Sequence, residues 1–215
     1  DLIWSTAPQG SEEWHAARRG VITASRFKDA RDKLKTGAPS GKQLAYAHDI
    51  ARERCGGTAA AVFQNAAMRF GSEQEPFARM ELEARKGYLV QEAGFAVTPD
   101  GAFGVSVDGL VGAEGIIEIK TMVSSDTLFT AVVDGDISAY RDQIVGALWL
   151  TGRKWCDLVL WAPDLAGIGR DMTVIRIERD EAEIEALSAD LTAFWRRVQA
   201  LELKLRGQQE LPMAA

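Results

Sequence analysis

The chain has 215 residues, 47% hydrophobic and 26% charged, an ordinary globular composition with enough apolar material for one domain spanning 1–215 around a sizeable core. No apolar run approaches the length that spans a bilayer, and DLIWSTAPQG lacks the basic-then-apolar pattern of a signal peptide, so a cytoplasmic protein with no membrane partner is expected. Cys55 and Cys156 are too few and too far apart for a disulfide framework, a zinc site or an iron–sulfur cluster.

The formal net charge of −6 speaks against a polyanionic partner as a sum, but the charge is unevenly spread. Between Arg18 and Lys42, eight basic residues (Arg18, Arg19, Arg26, Lys28, Arg31, Lys33, Lys35, Lys42) stand against Asp29 and Asp32, a local +6. The remainder carries 17 basic and 29 acidic residues, or −12. One face that meets phosphates and a soluble rest would produce this asymmetry; so would a solvated helix face.

In chain order, Ser11 is placed to cap a short helix, SEEWHAARR, with acids in its first turn and arginines in its last, ended by Gly20. In VITASRFKDARDKL, Thr23 or Ser25 is placed to cap a second helix. A hydroxyl at a helix N-terminus with Arg18 nearby suits a DNA phosphate, and equally Thr23 and Ser25 are ordinary caps. KTGAPSGK, with Lys35 at its start, is a Gly/Pro/Ser loop that could touch a ligand. Leu44, Ala47, Ile50 and Ala51 mark a helix that stops at Gly56-Gly57. A further helix covers about Met68 to Lys86, with Phe70, Phe77, Met80 and Ala84 as its expected buried stripe and Glu73, Glu75, Glu81 and Glu83 as mostly solvated charges. Pro76 should begin or kink it. YLVQEAG and FAVTPDG read as strands, and with the hairpin that follows they make three or four antiparallel strands leading to the charged residues.

That hairpin, GVSVDGLVGAEGIIEIKT over Gly104–Thr121, carries the chemistry. Asp108, Glu118 and Lys120 lie among Val105, Val107, Leu110, Ile116, Ile117 and Ile119, where an unpaired charge is costly. Glu118 and Lys120, two apart in a strand, share a face, and the hairpin can bring Asp108 beside them. Two converging carboxylates with an adjacent ammonium make a site for a hard divalent cation; the bland alternative is an ion-pair cluster that sets the hairpin register. Beyond it, SSDTLFTAVVDG and DISAYRDQIVGALWLTG read as helices, WCDLVLWAP and MTVIRIE as strands, and Asp180 to Arg206 as a long amphipathic helix concerned with packing. Tyr140 and Gln143, three apart, share one side of their helix. Most of the six tryptophans are expected in the core. The order of elements gives an α/β or α+β fold with one mixed central sheet flanked by helices.

Four blocks in this order, WHAARRGVITAS, RFGSEQEPFAR, VDGL with EIK, and YRDQIVGALWLTG, resemble the phage-type alkaline exonucleases, the lambda exonuclease and YqaJ-like recombinase group of the PD-(D/E)xK nuclease superfamily. The resemblance implies a restriction-endonuclease-like nuclease fold. It makes Asp108, Glu118 and the backbone carbonyl of Ile119 ligands of magnesium, which manganese can replace, and Glu75 a helical acid that helps bind a second ion. Lys120 would position or deprotonate the attacking water, its pKa lowered by the nearby cation, with Tyr140 and Gln143 beside the metals. Arg18 and Ser25, with Thr23 adjacent, would hold the terminal 5′-phosphate, and Lys35 would contact the strand. The superfamily pattern has Pro before the first aspartate, where this chain has Val107.

The activity so implied is magnesium-dependent 5′ to 3′ degradation of one strand of linear duplex DNA, releasing 5′-mononucleotides and leaving a 3′ single strand for phage-type recombination in a bacterial host. A homotrimeric ring and a single-strand annealing protein as partner go with it. The rivals are an endonuclease of the same superfamily, a non-catalytic DNA-binding scaffold, and a hydrolase of small phosphoesters. The presence of Glu75, Asp108, Glu118 and Lys120 together weighs against a scaffold.

Overall fold

The structure, a computed structural model of the chain, describes residues 1–58 and 65–207. In chain order its elements are strand β1 (Ile3–Trp4), helix α1 (Glu12–Arg18), strand β2 (Ile22–Thr23), the short helix α2 (Phe27–Ala30), and helices α3 (Gly41–Arg54) and α4 (Ala66–Lys86). Strands β3 (Val90–Gln91), β4 (Phe95–Val97), β5 (Phe103–Ser106), β6 (Gly109–Val111) and β7 (Gly115–Thr121) follow. The remaining elements are α5 (Ser125–Leu128), α6 (Ser138–Thr151), β8 (Trp155–Trp161), β9 (Met172–Glu178) and α7 (Glu181–Leu205). The expected class, mixed α and β with helices flanking the sheet, is borne out, but with two mixed sheets in place of the one expected. Among the described residues no helix is long and apolar enough to cross a membrane.

The described residues form two compact units: those of Asp1–Ala61, Gly94–Val105 and Glu181–Ala215, and those of Val62–Ala93 and Ser106–Asp180. The first unit holds a four-stranded sheet of order β1-β4-β5-β2, in which β1 and β4 are antiparallel and β2 and β5 parallel. Ser11 caps α1 as expected, accepting from the Trp14 amide at 3.2 Å. Helices α3 and α7 meet through stacked Tyr46 and Phe194, ring centroids 5.4 Å apart, in a core that includes Phe27, Ile50, Leu191 and Val198. The α7 periodicity of Ile184, Leu187, Leu191, Phe194 and Val198 is buried as its 3.6-residue pattern requires.

Much of the basic run in this unit is paired rather than free. Arg26 and Lys42 both contact Asp29, at 3.0 and 2.8 Å. Asp190 of α7 accepts from Arg31 Nε at 3.0 Å and Lys33 Nζ at 2.6 Å. Burial pushes the Asp190 carboxyl up, but Lys33 and Arg31 more than offset that and leave its pKa below the ordinary value. A depressed carboxylate contributes stability above the unfolded pKa and loses it as pH falls. Asp190→Asn should therefore destabilise the protein by about 1 kcal/mol at pH 7 in urea unfolding, and the difference from the wild type should disappear as pH falls below about 3.9.

The second unit holds a five-stranded sheet of order β3-β6-β7-β8-β9, parallel between β7 and β8 and antiparallel elsewhere. The hairpin forms, with Gly109 opposite Ile117 and Val111 opposite Gly115, but its first strand is shorter than expected, since Phe103–Ser106 is β5 of the other sheet. Its turn uses Gly112 at φ +51°, a left-handed conformation that favours glycine. Arg153 Nη1 clamps the turn by donating to the carbonyls of Gly112 and Gly115, both at 2.8 Å. On one face of this sheet, Ala78 and Leu82 of α4 pack against Ile117, Ile119, Val159 and Trp161. The two-residue period of β7 sends Glu118 and Lys120 to the other face, where Gln143 of α6 meets them. Residues of β7 are buried from both sides, which is why its sequence is apolar nearly throughout.

Four expectations are corrected. The stripe Phe70, Phe77, Met80 and Ala84 is not the buried face of α4: Phe70, Phe77 and Met80 are 39%, 54% and 61% exposed, and the smaller Ala78 and Leu82 face the sheet instead. Small side chains let the helix approach closely, and periodicity alone does not say which of two faces turns inward. Of the two roles open to Pro76, beginning the helix is excluded: it lies inside α4, where the Ser72 carbonyl lacks its helical N–H partner. The strands before the hairpin do not form one antiparallel series, because β4 and β5 belong to the other sheet. Of the six tryptophans only Trp161 is buried.

Candidate active site

The site is built where β6 stops pairing with β7. Asp108 precedes β6; its amide donates to the Ile117 carbonyl at 3.1 Å, completing the ladder. One step further along β7 no strand continues from β6, and the Asp108 Oδ2 takes the place of a backbone acceptor, receiving the Ile119 amide at 2.6 Å. A strand residue presents its N–H and C=O to the same side, so the Ile119 carbonyl faces that opening too. The carboxylate of Asp108 and the carbonyl of Ile119 thus share one edge of β7.

Glu118 and Lys120 stand side by side on the α6 face. Lys120 Nζ lies 2.7 Å from Glu118 Oε1. Gln143 bridges the pair: its Nε2 donates to Glu118 Oε1 at 2.5 Å and its Oε1 accepts from Lys120 Nζ at 3.2 Å. Tyr140, three residues earlier on α6, places its ring centroid 5.8 Å from Lys120 Nζ. Glu75 comes from α4, where Arg79 Nη2 holds its Oε1 at 3.0 Å.

The electrostatics follow from three acids in a poorly solvated place. Burial, then the charges of Glu118 and Glu75, raise the Asp108 pKa well above its ordinary value. The Glu75 carboxyl is pushed up by burial and by Glu118, against the pull of Arg79. Burial pushes the Lys120 ammonium down, yet Glu118 and Asp108 more than compensate, and its pKa is raised. With two carboxylates this close and no cation between them, the ammonium is favoured; the lowering expected of a bound cation would require that cation to take up the carboxylates' charge. Cys156, on β8 beside Ile116, is an inert thiol pushed up chiefly by burial.

This arrangement suits a hard cation. Among the described residues no three His, Cys, Asp or Glu side chains form a ready-made metal cage. The available donors are instead two mutually repelling carboxylates, Asp108 and Glu118, with the Ile119 carbonyl: oxygen atoms only, in the small number that magnesium takes from protein while keeping its waters. Glu75 is the acid within electrostatic reach of both.

The expected phosphate residues belong to the first unit. Arg18, the last residue of α1, is half-buried with its guanidinium 4.2 Å from the Trp14 ring centroid and 5.2 Å from that of Phe95. Thr23 and Ser25 are brought together, their hydroxyl oxygens 3.3 Å apart. Neither caps a helix: a 3₁₀ turn over Ala24–Arg26 leads into the four-residue α2, and Thr23 makes no side-chain cap hydrogen bond. Thr23 is instead buried with its amide donating to the Tyr46 hydroxyl at 3.2 Å, while Ser25 is exposed. Lys35 is exposed in its loop.

Residues 13–154 match the YqaJ-like viral recombinase domain. The chain belongs to that family. An alkaline exonuclease, LHK-Exo from Laribacter hongkongensis, is 34% identical and superposes with a TM-score of 0.81 over 92% of this chain and 97% of its own. The same exonuclease has also been solved in complex with dAMP. A phage-related exonuclease from Haemophilus somnus 129PT shares the fold, with a TM-score of 0.68 at 17% identity over 86% of this chain and 96% of its own. No curated protein matches the chain by sequence. The resemblance drawn from the four sequence blocks is thus borne out: this YqaJ-family chain is of the phage-type alkaline exonuclease kind.

Arg79 is the residue that sequence reasoning missed. Its signal was present, four positions after Glu75 on the same helix face, but the acids of α4 were expected to be solvated.

Proposed function

We propose that this YqaJ-family chain is a magnesium-dependent exonuclease that degrades one strand of linear duplex DNA in the 5′ to 3′ direction and releases 5′-mononucleotides. The observation that carries this is the constellation at the end of β6, where Asp108, Glu118, Lys120 and Gln143 are joined through β7 and α6. An alkaline exonuclease relative that binds dAMP, a mononucleotide, supports release of single nucleotides.

Asp108, Glu118 and the Ile119 carbonyl would hold one magnesium ion, and Glu75 would serve a second; manganese has the same ligand preferences. When bound, such ions lower the pKa of a coordinated water and polarise the scissile phosphoryl group. Lys120 orients the attacking water, and its ammonium donates toward the phosphoryl oxygens. Gln143 fixes the relative position of Glu118 and Lys120, and Tyr140 packs over the Lys120 side chain. Water adds to phosphorus, the P–O3′ bond breaks, and the departing 3′-oxygen ends with a proton. Arg18, Ser25 and Thr23 would receive the terminal 5′-phosphate, and Lys35 would contact the strand. Work with a single-strand annealing protein in recombination, and assembly into a homotrimeric ring, complete the reading.

A linear duplex with a 5′-phosphate on one strand only tests polarity and end recognition together. The phosphorylated strand should disappear first, and Arg18→Ala should remove that preference more than it lowers the rate on overhanging ends. Loss of both strands at equal rates would contradict it.

A further inference from the structure

The Arg79 side chain is only 12% exposed, although Phe70, Phe77 and Met80 of the same helix face solvent. Glu75, Ala78, Arg79 and Leu82 occupy one face of α4, and Ala78 and Leu82 are fully buried against the sheet. The guanidinium spans two acids: Nη2 holds Glu75 at 3.0 Å, and Nη1 meets Glu92, which is 80% exposed. Its Nε is buried with no hydrogen-bond partner among the described residues.

An exposed Glu–Arg pair four residues apart adds only about 0.3–0.5 kcal/mol to a helix. Here the arginine is taken out of water, which costs more than such a pair returns, and one of its donors is left unsatisfied. Stability is therefore a poor account of why the group sits here. The planar fork does something an ammonium does not: its two ends hold Glu75 and Glu92 at once in fixed directions, one nitrogen on each. The register of α4 is set separately, by Trp161 Nε1 donating to Gln74 Oε1 at 3.1 Å at the end of β8. Arg79 is thus left to act on the Glu75 side chain rather than on the helix.

We infer that Arg79 is a positioning residue, whose guanidinium aims the Glu75 carboxylate at the cation site while Glu92 holds the guanidinium from the solvent side. The inference rests on the reading of Glu75 as the ligand of a second ion.

The test is Mn²⁺ binding to the purified full chain, followed by electron paramagnetic resonance of the free ion, for the wild type, Arg79→Met, Arg79→Lys, Glu75→Gln and the double variant. Arg79→Met should weaken the weaker site by roughly tenfold or more, the size that ligand-orienting contacts give metal sites. Arg79→Lys should recover only part of this, because it keeps the charge without the fork. In the Glu75→Gln background, Arg79→Met should add nothing, since the residue acts through Glu75. Wild-type Mn²⁺ binding by Arg79→Met, or losses that add in the double variant, would overturn the inference. Failure of the reading beneath it looks different: Glu75→Gln would then bind Mn²⁺ as the wild type does, and the inference would fall with it. Thermal unfolding of each metal-free variant separates these effects from a loss of fold.

Discussion

Lys120→Ala should lower the rate of nucleotide release by about 10³-fold, the upper end of the range for losing one preorganised donor to a developing charge. The side chain is the cation between Glu118 and the Tyr140 ring and a hydrogen-bond donor to Gln143. On the proposed reading, removing it leaves the carboxylates in place but nothing to orient the attacking water. The loss should fall on kcat rather than on the KM for DNA, because the interaction is made as the phosphoryl group reacts. The fold should persist, since the Lys120 side chain is 27% exposed and its removal opens no sealed cavity. Steady-state kinetics on a labelled linear duplex, with circular dichroism as a control, checks both halves. A loss below tenfold would remove Lys120 from the chemistry.

Asp108→Asn should abolish activity and, in the absence of metal, make the protein more stable. The Asp108 carboxyl is raised by burial and by Glu118 and Glu75, so its ionised form costs stability at neutral pH. For a raised group the sign is fixed: its contribution is fully present below the ordinary aspartate value of about 3.9 and is lost as pH rises through the folded value. Asparagine can still accept the Ile119 amide through its carbonyl oxygen while carrying no charge. In EDTA at pH 8 the variant should gain on the order of 1–2 kcal/mol, a size common when a strained functional site is relieved. Lowering the pH from 8 should raise the midpoint of the metal-free wild type relative to the variant. Adding Mg²⁺ should raise the wild-type midpoint and leave the variant unchanged. A variant less stable than the wild type in EDTA would contradict this electrostatic account.

How far the sequence carried can be judged at particular residues. The hairpin was legible because glycines mark its turn and because an acid-x-Lys pair in an apolar strand must share a face. The Gln143 link to Glu118 and Lys120 spans 25 and 23 residues, and only family resemblance pointed to it. Helix α4 shows the limit of periodicity: Phe70, Phe77 and Met80 do share one side, but that side faces outward. Ala78 and Leu82 face inward because the strands of β7 and β8 lie close, a fact set by tertiary packing. Arg79 was hidden for the same reason, since its burial is visible only once the inward face is known. Thr23 and Ser25 were rightly grouped, but as partners of each other and of the Tyr46 region rather than as caps. The basic run was legible as composition, whereas its pairing with Asp190 spans about 160 residues and leaves no local trace.

The most direct measurement is digestion of a linear duplex by the purified chain with Mg²⁺, beside a covalently closed circle of the same sequence and beside the linear substrate in EDTA. The account predicts mononucleotides from the linear DNA, a surviving complementary strand, an untouched circle and no products in EDTA. Cleavage of the circle, or mononucleotide release that persists in EDTA, would contradict it.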